Sequence, residues 1–95
     1  MDISKTHIVS SLAGRDKGRL FIVMETEPNF VYLVDGKLRK VESPKRKSIK
    51  HIAYAGQLRA DFSKKIISGE KVLNSEIRRA LAEFANIIGK DAQQA

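Results

Sequence analysis

The first half of the chain consists of short apolar runs separated by turn-forming residues. The runs at 7–13, 19–26 and 30–34 are rich in β-branched and aromatic residues, which predicts three strands. The segments between them, 14–18 and 27–29, contain the glycine, aspartate, proline and asparagine residues that are typical of turns. Because such turns recur roughly every ten residues, the pattern predicts a small β-barrel or β-sandwich.

Four residues are predicted to shape turns, two in segment 14–18 and two directly after the third strand: Gly14, Gly18, Asp35 and Gly36. Gly18 is expected to adopt a positive φ between the first two strands, because glycine does so without steric cost. The Asp35–Gly36 pair is a strong hairpin signal, and the alternating segment 37–41 is predicted to form the returning strand. Alternation in that strand places Leu38 in the core and the neighbouring cations in solvent.

Residues 42–50 are polar and basic, and Pro44 interrupts them, so this segment is predicted to be a loop. Ile49, Ile52 and Tyr54 then bring back apolar positions and could supply a short closing strand. Residues 1–54 are therefore assigned to one mainly β domain.

The last third of the chain changes from strand periodicity to helix periodicity. Its apolar positions recur every three or four residues, which places them on one stripe of an amphipathic helix. The stripe consists of Ile77, Leu81, Phe84 and Ile88. We predict a helix over residues 74–89, in which Asn74 or Ser75 caps the start and Gly89 ends it. Residues 55–73 are assigned to a linker or a weak helix, and 90–95 to a flexible tail.

The composition argues against catalysis and against metal or cofactor binding. The chain has no cysteine and only two histidines, His7 and His51, and its glycines do not form a phosphate-binding loop. Its apolar runs are too short to cross a membrane, and residues 1–12 lack the features of a signal peptide. We therefore expect a cytoplasmic, non-enzymatic protein with no cofactor and no small-molecule substrate.

The excess positive charge is local. The formal net charge is +7, and residues 37–51 hold seven cationic side chains against the single anion Glu42. A concentrated positive field favours a polyphosphate partner, because each phosphate that is neutralised releases a counterion. This distribution predicts binding to a nucleic acid.

Two segments resemble the KOW-domain RNA-binding family, which includes KOW-type proteins of the large ribosomal subunit. The first segment is Val9–Val23, and the second runs from Asn29 to Gly36 and continues through the triplet Lys45–Lys47 to Ile49–Ile52. The second is similar to an arrangement of Val-Asp-Gly, a basic triplet and Lys-His-Leu, with Ile52 in place of the usual leucine. The resemblance covers residues 6–54. It implies a five-stranded SH3-like barrel whose loops contact RNA, with ribosomal RNA as the expected partner.

The charge distribution and the resemblance together predict a set of RNA-binding side chains. Arginine and lysine suit phosphate, and arginine donates two parallel hydrogen bonds to it. The set is Arg15, Lys17, Arg19, Lys37, Arg39, Lys40, Lys45, Arg46, Lys47, Lys50 and His51. The strongest candidates are Lys45, Arg46, Lys47 and Lys50, because they follow Pro44, which limits the entropy lost on ordering, and because three consecutive cations have no helical or strand face to stabilise. The aromatic residues are assigned to the core first, with Tyr32 or Tyr54 as the alternative candidates for base stacking.

A second class of function stays open from the sequence. The chain could be a protein-interaction module, because SH3-like barrels serve both roles and fold does not decide function. The helical stripe over 77–88 could then dock on a ribosomal or other protein partner. Packing of the stripe on the chain's own barrel is the preferred interpretation, because small cores use every apolar stripe available.

Overall fold

The fold, taken from a computed structural model, is a five-stranded antiparallel sheet with two helices. The structure describes the backbone of residues 2–94 and the side chains of residues 2–88. The strands are β1 (His7–Ser11), β2 (Leu20–Glu27), β3 (Phe30–Val34), β4 (Lys45–Ser48) and β5 (Ile52–Gln57), and the helices are α1 (Ala60–Ile67) and α2 (Asn74–Gln94). One 3₁₀ turn, Ile49–His51, joins β4 to β5.

The sheet has the strand order β4-β3-β2-β1-β5, so two consecutive strands, β4 and β5, lie at its opposite edges. The long strand β2 pairs with β1 through Leu20–Ile22 and with β3 through Ile22–Glu27. The register between β2 and β3 shifts between Val23 and Glu25, and such an irregularity bends a strand and increases its twist. The sheet curls, because its two edge strands are joined by a turn of only three residues, Ile49–His51. The Leu12 N–H donates to the His51 carbonyl at 2.8 Å and extends the pairing of β1 with β5.

Both faces of the curled sheet are buried, which explains why its strands contain continuous apolar runs. Alternate residues of β1, β2 and β3 point to opposite faces. The inner cluster is formed by Val9, Phe21, Val23, Val31, Leu33 and Ile52. The outer cluster, which the helices cover, is formed by Ile8, Ile22, Val34, Leu58, Ile66, Val72, Ile77 and Leu81.

The first three predicted strands are confirmed to within two residues, but the predictions for residues 37–50 are wrong in two places. Segment 37–41 is not the returning strand, and Leu38 is 70 % exposed instead of buried. The returning strand is β4, inside the segment that was predicted to be a loop. The reason is local, because the Asp35 carboxylate accepts hydrogen bonds from two backbone N–H groups of this segment and closes it as a turn.

The amphipathic helix packs on the chain's own sheet, as the preferred interpretation predicted. Ile77 is fully buried, Leu81 is buried and Phe84 packs against the outer cluster, whereas Ile88 is 44 % exposed. The Phe84 ring occupies the space that a side chain at Gly56 of β5 would need. No helix in residues 2–94 is long and apolar enough to span a membrane.

Helix α2 begins at Asn74, as predicted, but its cap and its C-terminal end differ from the prediction. Asn74 does not cap the helix; instead the carboxylate of Glu76 accepts the Leu73 N–H at 2.9 Å. The helix continues through Gly89 to Gln94, because one glycine costs only about 1 kcal/mol and no proline follows it. Most of the predicted tail is therefore helical, and Ala95 lies outside the described residues. The weak helix predicted within 55–73 is α1.

Ile77→Ala should show whether α2 is an integral part of the core. We expect the free energy of unfolding to fall by about 3 kcal/mol, because the substitution leaves a cavity in a fully buried site. Ile87→Ala, on the same helix but 57 % exposed, should change it by at most about 0.5 kcal/mol. Urea denaturation followed by circular dichroism measures both, and equal effects of the two substitutions would contradict this packing.

Candidate nucleic-acid interface

One carboxylate organises the cationic part of the molecule. Asp16, in the loop between β1 and β2, accepts hydrogen bonds from Lys47 Nζ at 2.8 Å and from Lys45 Nζ at 2.8 Å. The Ser11 hydroxyl donates to the same carboxylate at 2.6 Å, and Lys47 Nζ also donates to the Ala13 carbonyl at 2.9 Å. These bonds join the β1–β2 loop to the edge strand β4, which lies 29 to 31 residues further along the chain.

The environment of Asp16 strongly favours its charged form. Burial alone would raise the pKa of this carboxyl, since it removes the charge from water. The hydrogen bonds from Lys45, Lys47 and Ser11 together outweigh that effect and hold the pKa well below its usual value near 3.8. Asp16 is therefore ionised throughout the physiological pH range, and its charge is satisfied inside the protein.

A second carboxylate, Asp35, shapes the turn between β3 and β4. Its Oδ1 accepts the backbone N–H groups of Lys37 and Arg39, each at 2.9 Å. The backbone N–H groups of Asp35 and Gly36 in turn donate to the Arg39 carbonyl at 2.9 and 3.1 Å. Arg19, at the end of the β1–β2 loop, approaches Asp35 Oδ2 at 3.4 Å. The two loops consequently lie side by side at one end of the sheet.

The first turns of α2 pack against the β3–β4 turn and bond to its backbone. Arg78 donates to the Gly36 carbonyl at 2.7 Å, and the Val41 N–H donates to Asn74 Oδ1 at 2.8 Å. Gly36 has φ 78° and lies so close to α2 that a Cβ there would come within 2.5 Å of the Asn74 carbonyl oxygen. Glycine is therefore required at this position both for its conformation and for the close approach.

These contacts leave a group of exposed cations on the two loops, and one more, Lys50, lies in the 3₁₀ turn after β4. We call this group the basic rim, and it consists of Arg15, Lys17, Lys37, Arg39, Lys40 and Lys50. Within the described side chains, none of the six forms an ion pair. The nearest acids, Asp16 and Asp35, are already bonded internally, and Glu42 accepts hydrogen bonds from the amide of Asn74. The rim cations therefore form no ion pair with these neighbouring carboxylates.

The structure separates the other predicted RNA-binding residues from the rim. The triplet Lys45–Lys47 lies in a strand, so its side chains alternate between two faces. Lys45 and Lys47 turn inward to Asp16, and Lys47 is only 9 % exposed. Arg46 lies on the opposite face, where it stacks 3.6 Å above the Phe30 ring and bonds to Glu27. The prediction that these three cations have no strand face to stabilise is wrong.

Of the remaining candidates, Arg19 forms an ion pair with Asp35, whereas His51 is exposed in the 3₁₀ turn beside Lys50. Gly14 and Gly18 both adopt a positive φ in the β1–β2 loop, in agreement with their predicted role as turn residues. The Gly18 N–H closes that loop on the Ser11 carbonyl at 2.8 Å.

Sequence reasoning identified Asp35 as a turn residue but missed the role of Asp16. Asp16 was assigned only to a turn, although it stands alone among three cations in residues 15–19. A single acid in such a basic stretch has several possible partners, and that surplus is the signal that could have identified it. The partners themselves come from β4 and could not be identified without the fold.

The aromatic side chains offer little surface for base stacking. Phe21 is fully buried, as predicted, and Arg46 covers one face of Phe30. Tyr54 is exposed, but it makes an edge contact with His7 at a centroid distance of 5.0 Å. The arrangement suits binding of a phosphate backbone better than stacking on a row of bases. No protein-family model and no curated protein matches this chain.

Asp16→Asn should destabilise the fold while leaving its shape unchanged. Removing the negative charge leaves the buried Lys47 ammonium without its counter-ion, which should lower the free energy of unfolding by about 3 kcal/mol. Asp61→Asn is the matched control, because Asp61 is exposed and its ion pair with Arg59 is long, at 3.8 Å. Urea denaturation at neutral pH tests this, and a loss as small as that of the control would contradict the proposed role of Asp16.

The stability of wild type and that of Asp16→Asn should respond differently to acid. Because the pKa of Asp16 is lower in the folded chain than in the unfolded chain, protonation favours unfolding. The stabilisation from Asp16 is complete above about pH 5 and is lost as the pH falls through about 4 toward its folded pKa. We therefore expect the stability difference between wild type and Asp16→Asn to narrow between about pH 5 and pH 2. Glu25 and Glu76 also have lowered pKa values, but both proteins contain them and their contributions cancel.

Proposed function

We propose that this chain is a non-catalytic RNA-binding protein that holds the phosphate backbone of a structured RNA on the basic rim. The observation that carries the proposal is a set of exposed cations that form no ion pair in the described part of the chain, five of them on two adjacent loops and Lys50 in the 3₁₀ turn after β4. Each phosphate neutralised there would release a counterion, and that release drives association.

The rigidity of both loops supports the proposal. The β1–β2 loop is held by the Asp16 bonds and the β3–β4 turn by the Asp35 bonds, so the cations extend from a fixed backbone. A preorganised surface loses less conformational entropy on binding than a flexible basic arm would. Shape and charge, more than base sequence, would then select the RNA.

The strand arrangement is consistent with the SH3-like barrel that the KOW resemblance implies. We propose that the curled sheet belongs to this class, because its edge strands β4 and β5 are joined by a single 3₁₀ turn. The turn passes the end of β1, where His51 accepts the Leu12 N–H. By the same resemblance we propose ribosomal RNA as the partner and the cytoplasm as the site of action.

A second candidate function is docking on a protein partner. The observation that favours it is a groove between α1 and α2. The groove has a volume of about 370 Å³, and Phe62, Phe84 and Ile87 contribute apolar side chains to it. Half of the helical stripe cannot contact a partner, because Ile77 and Leu81 are buried in the chain's own core. The groove carries acidic and basic side chains in equal number, so a polyanion would not favour it.

A pair of charge-reversal variants tests the location of RNA binding. The rim variant carries Arg15→Glu, Lys17→Glu and Arg39→Glu, and the matched control carries Arg59→Glu, Lys64→Glu and Arg79→Glu on the helical side. Both lower the formal net charge from +7 to +1. For wild type we expect log K against log salt to have a slope of about −3 to −5, for roughly four to six neutralised phosphates.

The rim variant should lose most of its affinity for a structured RNA, and its salt slope should shrink by about 3. The control should keep a slope close to that of wild type, because net charge alone does not set the number of phosphate contacts. Fluorescence anisotropy over a salt series measures both quantities. Equal losses in the two variants would show that binding depends on overall charge and not on the rim.

A further inference from the structure

One apolar side chain stands among the cations of the basic rim. Leu38 lies in the β3–β4 turn between Lys37 and Arg39, and at 70 % exposure it is the most exposed large apolar side chain in the described part of the chain. A single exposed leucine is common on protein surfaces and by itself indicates nothing. The position of this one, on a turn that is fixed from two sides, distinguishes it.

The turn holds Leu38 away from the core. Inside the turn the Asp35 carboxylate accepts two backbone N–H groups, and beneath it the Arg78 guanidinium bonds the Gly36 carbonyl at 2.7 Å. The Gly36 backbone also packs directly against the first turn of α2. Leu38 is therefore presented to solvent by a supported backbone, and it does not depend on a mobile loop for its exposure.

We infer that Leu38 contacts unpaired bases, and that the rim accordingly binds RNA whose helix is interrupted by a bulge or a loop. This inference rests on the proposed function. In a continuous A-form helix the base faces are stacked and the narrow major groove excludes side chains. The shallow minor groove displays 2′-hydroxyls and base edges, so an apolar tip finds no base face on which to pack. At an interruption the face or edge of a base is accessible, and an apolar side chain can pack on it or enter the stack as a wedge.

The surrounding charge fits this occupant better than a protein surface. Lys37, Arg39 and Lys40 flank Leu38, and no acidic side chain in the described part of the chain pairs with them. Cations on both sides of an apolar tip can hold the phosphates that precede and follow an exposed base. The apolar contact then distinguishes an interrupted helix from a continuous one, while the cations bind both.

The test compares two RNA hairpins that differ only in one unpaired bulge of two or three nucleotides in the stem. Wild type should bind the bulged hairpin more tightly than the continuous one at about 150 mM salt. Leu38→Ala should weaken binding to the bulged hairpin about tenfold, since a largely buried leucine contributes that much, and should leave the continuous hairpin nearly unaffected. Leu38→Phe should retain the preference, because an aromatic ring stacks on a base.

Ile87→Ala is the matched control, because Ile87 is also an exposed aliphatic residue but lies about 20 Å along α2 from the helix start that supports the turn. It should change neither affinity. Equal weakening of both hairpins by Leu38→Ala, or no weakening of either, would overturn the inference; the second result is what a protein contact for Leu38 predicts. If wild type binds neither hairpin, the proposed function fails together with the inference.

Discussion

The ion cluster around Asp16 is the interaction on which the rest of the site depends. It joins the β1–β2 loop to the edge strand β4 through two lysines, and so fixes where the exposed cations Arg15 and Lys17 stand. Breaking a buried pair of this kind is costly because it leaves an uncompensated charge. Without the cluster, the β1–β2 loop would lose its side-chain bonds to the two lysines of β4.

The molecule divides its charges between structure and surface. Two acids, Asp16 and Asp35, point inward and neutralise the cations that the fold needs, namely Lys45, Lys47 and Arg19. The cations that remain on the same loops are exposed and form no ion pair among the described side chains. A basic composition is thereby converted into a local positive surface. The inward lysines on β4 also make this edge strand a poor template for pairing with another chain.

The sequence predicts the elements whose pattern is set by apolar burial. The sequence shows the apolar runs of β2 and β3 and the three- and four-residue spacing of α2. These patterns can be recognised because the apolar side chains form the core. Strand β4 is not visible, because its inward side chains are lysines and their partner Asp16 is about thirty residues away. Leu38 was misplaced for a related reason, since the Asp35 hydrogen bonds that turn the backbone override a short alternation. The basic character of the site was predictable, whereas the division into buried and exposed cations required the fold.

The most direct test of the account is to map the RNA contact on the folded chain residue by residue. A ¹⁵N-labelled sample is titrated with a structured RNA, and backbone amide shifts are followed by NMR. The account predicts that the largest changes fall in residues 12–19 and 35–51, with little change over α1 and the second half of α2. Changes concentrated along the groove between the helices, with the rim unaffected, would contradict it.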